Sequence, residues 1–165
     1  MKKFIITLSL MLLSSCGYKP TSHSIQNILG KTIYVNVIID KIEPDSSIYI
    51  KNLMSKVIYR RFHSRVSDKS IADSQIIISY GGSNLTPLKY DRNGFVRKYT
   101  ITLPITFKVK TKNGVNFTKN IRTKYESDTY EVGKNQSYLR AEAIENAMKI
   151  AIDEFIAYLS KRGIR

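Results

Sequence analysis

The shortages in this chain exclude several chemistries at once. One cysteine in 165 residues cannot make an internal disulfide, and one cysteine with two histidines cannot build a tetrahedral Cys/His zinc site. Acidic residues are scarce: 13 Asp and Glu stand against 27 Lys and Arg, a net charge of +14. No glycine-rich phosphate loop, paired-histidine spacing or Gly-x-Ser-x-Gly elbow occurs. His23 falls in a polar tether and His63 at the end of a basic helix, so neither is read as catalytic. Asp40, Glu43 and Asp45 lie close together, and a solvated turn with a helix-capping acid suits them better than a calcium site. The chain is therefore expected not to be an enzyme and to carry no metal or cofactor.

What is present suits one folded domain. Apolar residues make up 42% of the chain, with 11 Tyr and 6 Phe, enough for a real core. The basic excess predicts an anionic partner such as nucleic acid, a membrane surface or an acidic glycolipid.

The first residues carry an export pattern. Lys2 and Lys3 precede ten uncharged residues, Phe4 to Leu13. That run is too short for a spanning helix, which needs about 20 apolar residues, and it has the length of a secretory core region. Ser14 and Ser15 then lead into Cys16, and Leu-Ser-Ser-Cys resembles the bacterial lipobox. The expectation is a signal peptide over 1–15, diacylglycerol and a further acyl chain on Cys16, and a lipidated tether over 16–30. Each buried acyl CH₂ contributes about 0.8 kcal/mol, so two or more chains anchor stably. In lipoproteins of this kind an Asp after the cysteine often signals inner-membrane retention. Gly17 stands there, which makes the periplasmic face of the outer membrane the expected location.

The remainder, 31–165, reads as a single α+β domain. Ile33, Val35, Val37 and Ile39 alternate as a strand, and a capped helix carries Ile50, Leu53, Met54, Val57, Ile58 and Phe62 at helical spacing. Residues 75–80 form a second strand. Residues 99–110 alternate most clearly, with Tyr99, Ile101, Leu103, Ile105, Phe107 and Val109 on one side. Pro104 lacks a ladder donor and should face an edge or a bulge. Asn113-Gly114 signals a hairpin, and only an odd loop puts both apolar sets on one face. A three-residue loop with Gly114 left-handed pairs Val109 with Phe117 and Ile105 with Ile121. A helix over about 137–160 shows Ile144, Met148, Ala151, Ile152, Phe155 and Leu159 as its stripe. The order β-α-β-β-β-α predicts a two-layer sandwich, a four-stranded, mainly antiparallel or mixed sheet with two helices on one face.

From Lys89 to Lys124 there are ten basic residues and one acid, Asp91. Most strand bases fall at even positions, opposite the apolar face. Lys98, Lys108, Lys110, Arg122 and Lys124 should share the uncovered face, with Lys119 near an edge. Aromatics point inward, which argues against nucleic acid. A lysine-blunted solvated face is the plain alternative.

Cys16-Gly17-Tyr18, the Arg97-Lys98-Tyr99 lead into an alternating strand, and the element order together resemble the LPS-assembly lipoprotein LptE family. The resemblance implies four strands backed by two helices, a partner barrel of the LptD type, and lipopolysaccharide bound through basic residues. Parity and charge, not the family, nominate Arg97, Lys98, Arg122 and Lys124 as the main contact, with Lys108 and Lys110 beside them. Two other classes stay open: a pilot or assembly lipoprotein for another barrel or secretin, and a periplasmic module binding an anionic envelope polymer.

Overall fold

The computed structural model describes residues 21–38, 44–129 and 136–163. The expected signal peptide, the lipidation site Cys16 and the acids Asp40 and Glu43 lie outside the described residues.

The sheet is organised around β5 (Val96–Thr111). Its odd-numbered side chains Ile101, Leu103, Ile105, Phe107 and Val109 are at most 1% exposed, as a period-2 strand with one covered face requires. β6 (Asn116–Asp128) runs antiparallel along one edge of β5, from Lys98↔Asp128 to Lys110↔Asn116. Two strands share the other edge end to end. β3 (Ser74–Tyr80) faces Ile105–Thr111, and β4 (Asn84–Tyr90) faces Val96–Thr102. β1 (Thr32–Ile38) adds in parallel to β3, and the two-residue β2 (Arg65–Val66) adds in parallel to β1.

The hairpin register follows the expected pairing, Val109↔Phe117 and Ile105↔Ile121. Its loop is closed by Thr111 N donating to Val115 O at 3.1 Å, and Gly114 adopts φ +80°. Pro104 sits where the neighbour of β5 changes from β3 to β4. Its carbonyl accepts from Gly81 N at 3.3 Å, and an extended residue presents N–H and C=O to the same edge. The missing donor therefore faces the Gly81–Ser83 break and costs no ladder bond.

Both long helices lie on the buried face. α1 (Thr21–Leu29), α2 (Pro44–Arg60) and α3 (Gln136–Gly163) complete the described elements. α2 packs on β1 and α3 on β5 and β6. The core is centred on Phe107 and Phe155, whose rings stack at 4.2 Å and 8°. Ala143, Ala147 and Ala151 are buried beside them, small enough to let α3 approach the strands. Lys119 bonds Glu154 of α3 at 3.1 Å, and the Arg162 guanidinium lies 4.4 Å over the Phe117 ring. Lys119 thus occupies the edge strand on the helix side, where its parity pointed.

Three expectations are corrected. The sheet has six strands rather than four, because β2 is too short to pattern and β4 is exposed on nearly every residue. The polar segment read as tether through Gly30 contains α1. Ile25, Ile28 and Leu29 give that helix an apolar stripe, and Ile25 and Leu29 are at most 1% exposed. Gly30 ends it at φ +79°, its N–H donating to Gln26 O at 2.8 Å. His63, read as the end of a basic helix, takes φ +52° in the turn that closes α2, and the Gln26 side chain donates to the carbonyls of Phe62 and His63 at 2.9 Å each.

Asp73 ties three segments together. Its carboxylate accepts from Lys31 N at 2.9 Å and Thr32 N at 3.0 Å, and its carbonyl accepts from Lys112 N at 2.9 Å. A Cβ on Gly30 would overlap the Asp73 side chain, so glycine is required there twice over, for φ and for space. Hydrogen bonding from Thr32, then from Lys31 N, with the Lys112 charge, outweighs the opposing effect of burial and holds the Asp73 carboxyl below its usual range.

Two outcomes are expected. Ile105→Asp, at 1% exposure, should cost several kcal/mol in urea unfolding, while Thr106→Asp next door costs less than about 1. Equal losses would reverse the assigned faces. A carboxyl with a lowered folded pKa contributes stability that is complete above its unfolded value of about 3.9 and is lost as pH falls through the folded value. Asp73→Asn should therefore lower stability by about 1 kcal/mol at pH 7, and the gap from wild type should close as melts are taken below pH 4.

Candidate functional site

Among the described residues, no helix covers the second face of the sheet. Register places Asn36 of β1, Gln75 and Ile77 of β3, and the even residues of β5 and β6 on it. Thr100, Thr102, Thr106, Thr118 and Asn120 make its middle polar and short-chained, and Thr106 Oγ1 bonds Asn120 at 2.9 Å. A charged side chain on such a face keeps its hydration, whereas on the opposite face it would be buried under α3.

The bases divide into groups along this face. Lys108 and Lys110 lie toward the β5–β6 turn, opposite Thr118 and Asn116. Arg122 and Lys124 lie nearer the centre, opposite Pro104 and Thr102. All four are exposed, and none is in an ion pair among the described residues. Residues two apart on one strand are about 7 Å apart, and the four register steps from Pro104 to Lys108 add about 13 Å. The result is two basic pairs on an open surface, with an open depression of about 420 Å³ beside Arg122, lined also by Pro104, Thr106 and Asn120.

Lys98 is placed differently. It lies at the far end, about 40 Å from Lys110 along β5, with Glu126 at 3.7 Å and Asp128 at 4.0 Å. Arg97 does not join the group. Successive strand residues point to opposite faces, and Arg97 is held by Asp91, Nε to Oδ2 at 2.9 Å and the second nitrogen at 2.8 Å. Of the residues nominated from sequence, Lys98, Lys108, Lys110, Arg122 and Lys124 share one face and Arg97 does not. The acids Glu126 and Asp128 were missed because they follow the basic stretch in sequence. Register alone brings them beside Lys98.

A cleft of about 280 Å³ opens on the helix side, floored by Leu85, Tyr99 and Ile101. Binding cavities for small ligands are usually about 300–1,000 Å³ and largely enclosing, so the open face is the stronger recognition surface. No helix among the described residues is long and apolar enough to cross a membrane.

The described residues form an α+β sandwich with one basic sheet surface that no described helix covers. Solved structures share that fold at low identity. A Caulobacter crescentus CB15 protein described as a lipoprotein is 9% identical, with 87% of this chain and 94% of that chain covered at a TM-score of 0.58. A Xanthomonas campestris protein is 10% identical, covering 81% of this chain and 85% of that one at 0.55. Lipoprotein B from Nitrosomonas europaea is 13% identical, covering 79% and 82% at 0.53. No curated protein matches this chain in sequence. The profile of the lipopolysaccharide-assembly family, LptE, matches residues 30–159, and the chain belongs to that family. It is a lipoprotein of the cell envelope in a non-enzymatic family of lipopolysaccharide assembly and outer-membrane biogenesis.

The electrostatics of the face yield a prediction. Replacing Glu126 and Asp128 together by Gln and Asn should free Lys98, extend the positive surface along the whole strand, and leave the melting temperature within a few degrees of wild type. Exposed pairs are individually worth about 0–1 kcal/mol, so thermal melts paired with heparin-column retention check both halves of the statement.

Proposed function

We propose that this protein binds lipopolysaccharide through its open sheet face and serves as plug or assembly partner of an outer-membrane barrel of the LptD type. In this reading Cys16 is acylated and holds the chain in the inner leaflet of the outer membrane, facing the periplasm. The observation that carries the reading is the set of four exposed bases, Lys108, Lys110, Arg122 and Lys124, on one uncovered face in a member of a lipopolysaccharide-assembly family. Lipopolysaccharide presents phosphates and carboxylates at several points, so spaced bases meet a multivalent anion. Arg122 grips a phosphate through two donors, and the lysines act as mobile point charges. Lys98 is a secondary contact that must first exchange Glu126 and Asp128 for the ligand. Arg97 contributes only if it leaves Asp91. A pilot role for another barrel or secretin, or a role in binding an anionic envelope polymer, would use the same charges, but neither matches the family.

The test is the quadruple variant Lys108→Gln, Lys110→Gln, Arg122→Gln and Lys124→Gln. Binding to purified lipopolysaccharide should weaken at least tenfold at low salt, and its salt dependence should flatten, while the melting temperature stays within a few degrees. Unchanged glycolipid binding with lost barrel association would assign the face to an acidic lumen instead. Mass spectrometry of the N-terminal peptide should find acylated Cys16 as the first residue. An unmodified peptide beginning upstream would remove the anchor and the location with it.

A further inference from the structure

The described sheet has three outer edges, and they are finished differently. The β4 edge carries Pro87, and its pairing with β5 shifts register between Pro87 and Lys89 and again between Lys89 and Tyr90. The β1 edge is partly overlain by β2. Such interruptions blunt an edge against further pairing. The β6 edge has none. It runs 13 residues without a proline, in one unshifted register from Lys98↔Asp128 to Lys110↔Asn116.

The ladder fixes which backbone groups that edge presents. Thr111 N donates to Val115 O at 3.1 Å at one end, and Thr129 N donates to Arg97 O at 3.0 Å at the other. Antiparallel pairs alternate between bonded and unbonded, so the odd-numbered residues of β6 bond to β5. The even-numbered ones, from Asn116 to Asp128, turn N–H and C=O outward, and no described strand receives them. Side chains leave this edge open. Lys119 leans toward α3, bonding Glu154 at 3.1 Å and lying 5.5 Å from the centre of the Tyr158 ring. Glu126 and Asp128 face Lys98 of β5. Arg122 and Lys124 are exposed and in no ion pair among the described residues.

We propose that the outer edge of β6 is completed by an extended, acid-bearing segment of a protein partner, added as a further strand. Backbone bonds supply the affinity in such strand addition, and alternate side chains select the partner. Here Arg122 and Lys124, two apart on one face, call for acids two apart on the incoming strand. A second copy of this chain fits poorly. α3 packs on β6, so two β6 edges paired at about 4.8 Å would crowd two α3 helices, which need about 8–10 Å between axes. Within an enclosing barrel the segment would come from the barrel chain itself, so the edge need not face solvent. The proposal rests on the reading that this protein has a protein partner, and not on what the open face binds.

Amide hydrogen exchange of the full-length protein reads this edge residue by residue. The probes are a peptide of alternating Thr and Glu, as long as β6, and a peptide of the same composition with its Glu residues contiguous. In the free protein the odd amides of β6 should be slow and the even ones fast. The alternating peptide should slow the even amides about tenfold and leave the odd ones unchanged, and the contiguous peptide should do neither. Thr118→Pro deletes one outward donor and spares the β5–β6 ladder, as proline on an edge does. It should weaken peptide binding about tenfold, and Thr118→Ala less than about twofold. Where faster odd amides show that Thr118→Pro disturbs the fold, methylating the peptide's own amide nitrogens puts the same question to the unaltered protein, and binding should vanish. Even amides already slow without peptide would overturn the proposal, as would slowing that rises with protein concentration alone, or an equal response to both peptides. Lipopolysaccharide binding by Thr118→Pro should stay at the wild-type level because all four bases of the open face remain, so the two readings fail separately.

Discussion

Burial of the odd-numbered face of β5, with Phe107 stacked on Phe155 at its middle, constrains every other element of the fold. A strand of 16 residues cannot hide both faces under two helices, so one face takes the core and the other must be soluble. The partner strands inherit that division through register. A one-residue slip in the β5–β6 hairpin would send Phe117, Ile121 and Tyr125 outward and draw Arg122 and Lys124 under α3. Gly114 and the odd loop prevent that slip. The apolar interior and the placement of charge therefore have one cause.

That cause also explains why a basic protein can carry its charge on a sheet at all. Buried unpaired lysines would each cost several kcal/mol, so the strand bases collect on the face the helices leave free. Within that face the distribution is uneven. Glu126 and Asp128 answer Lys98 at the far end, while Lys108, Lys110, Arg122 and Lys124 keep their charge available. In a lipopolysaccharide-assembly family member, an extended surface with spaced bases suits a ligand whose anionic groups are also spaced. The tip of the β4–β5 hairpin has a different chemistry. There an acid is consumed in shaping the turn, and the exposed residues are rings and bases side by side. The open polar face and the narrow amphipathic tip are thus two chemically different surfaces.

The long elements were legible from sequence because their periodicities ran long enough to be unambiguous. β5, β6, their register, and the stripes of α2 and α3 all follow from alternation or helical spacing sustained over three or more turns or pairs. α1 was hidden because nine residues with three apolar positions do not stand out from a polar segment, and its burial against α3 is a tertiary fact. β4 was hidden for the opposite reason. It is exposed on nearly every residue, so nothing in its composition alternates, and it exists because β5 extends beyond β3 and offers an unpaired edge.

What the sequence determined by itself was which residues face which way, since a period of two is a property of the chain and needs no partner. It also determined the excess of positive charge and the resemblance that led to the family. Which of those charges remain available was decided only by the tertiary structure. Arg97 and Lys98 are neighbours in sequence, yet one turns to Asp91 within its own hairpin and the other to Glu126 and Asp128 across a strand. Ion pairing depends on distances of a few ångströms between separate segments. Those distances arise only when strands register and turns close.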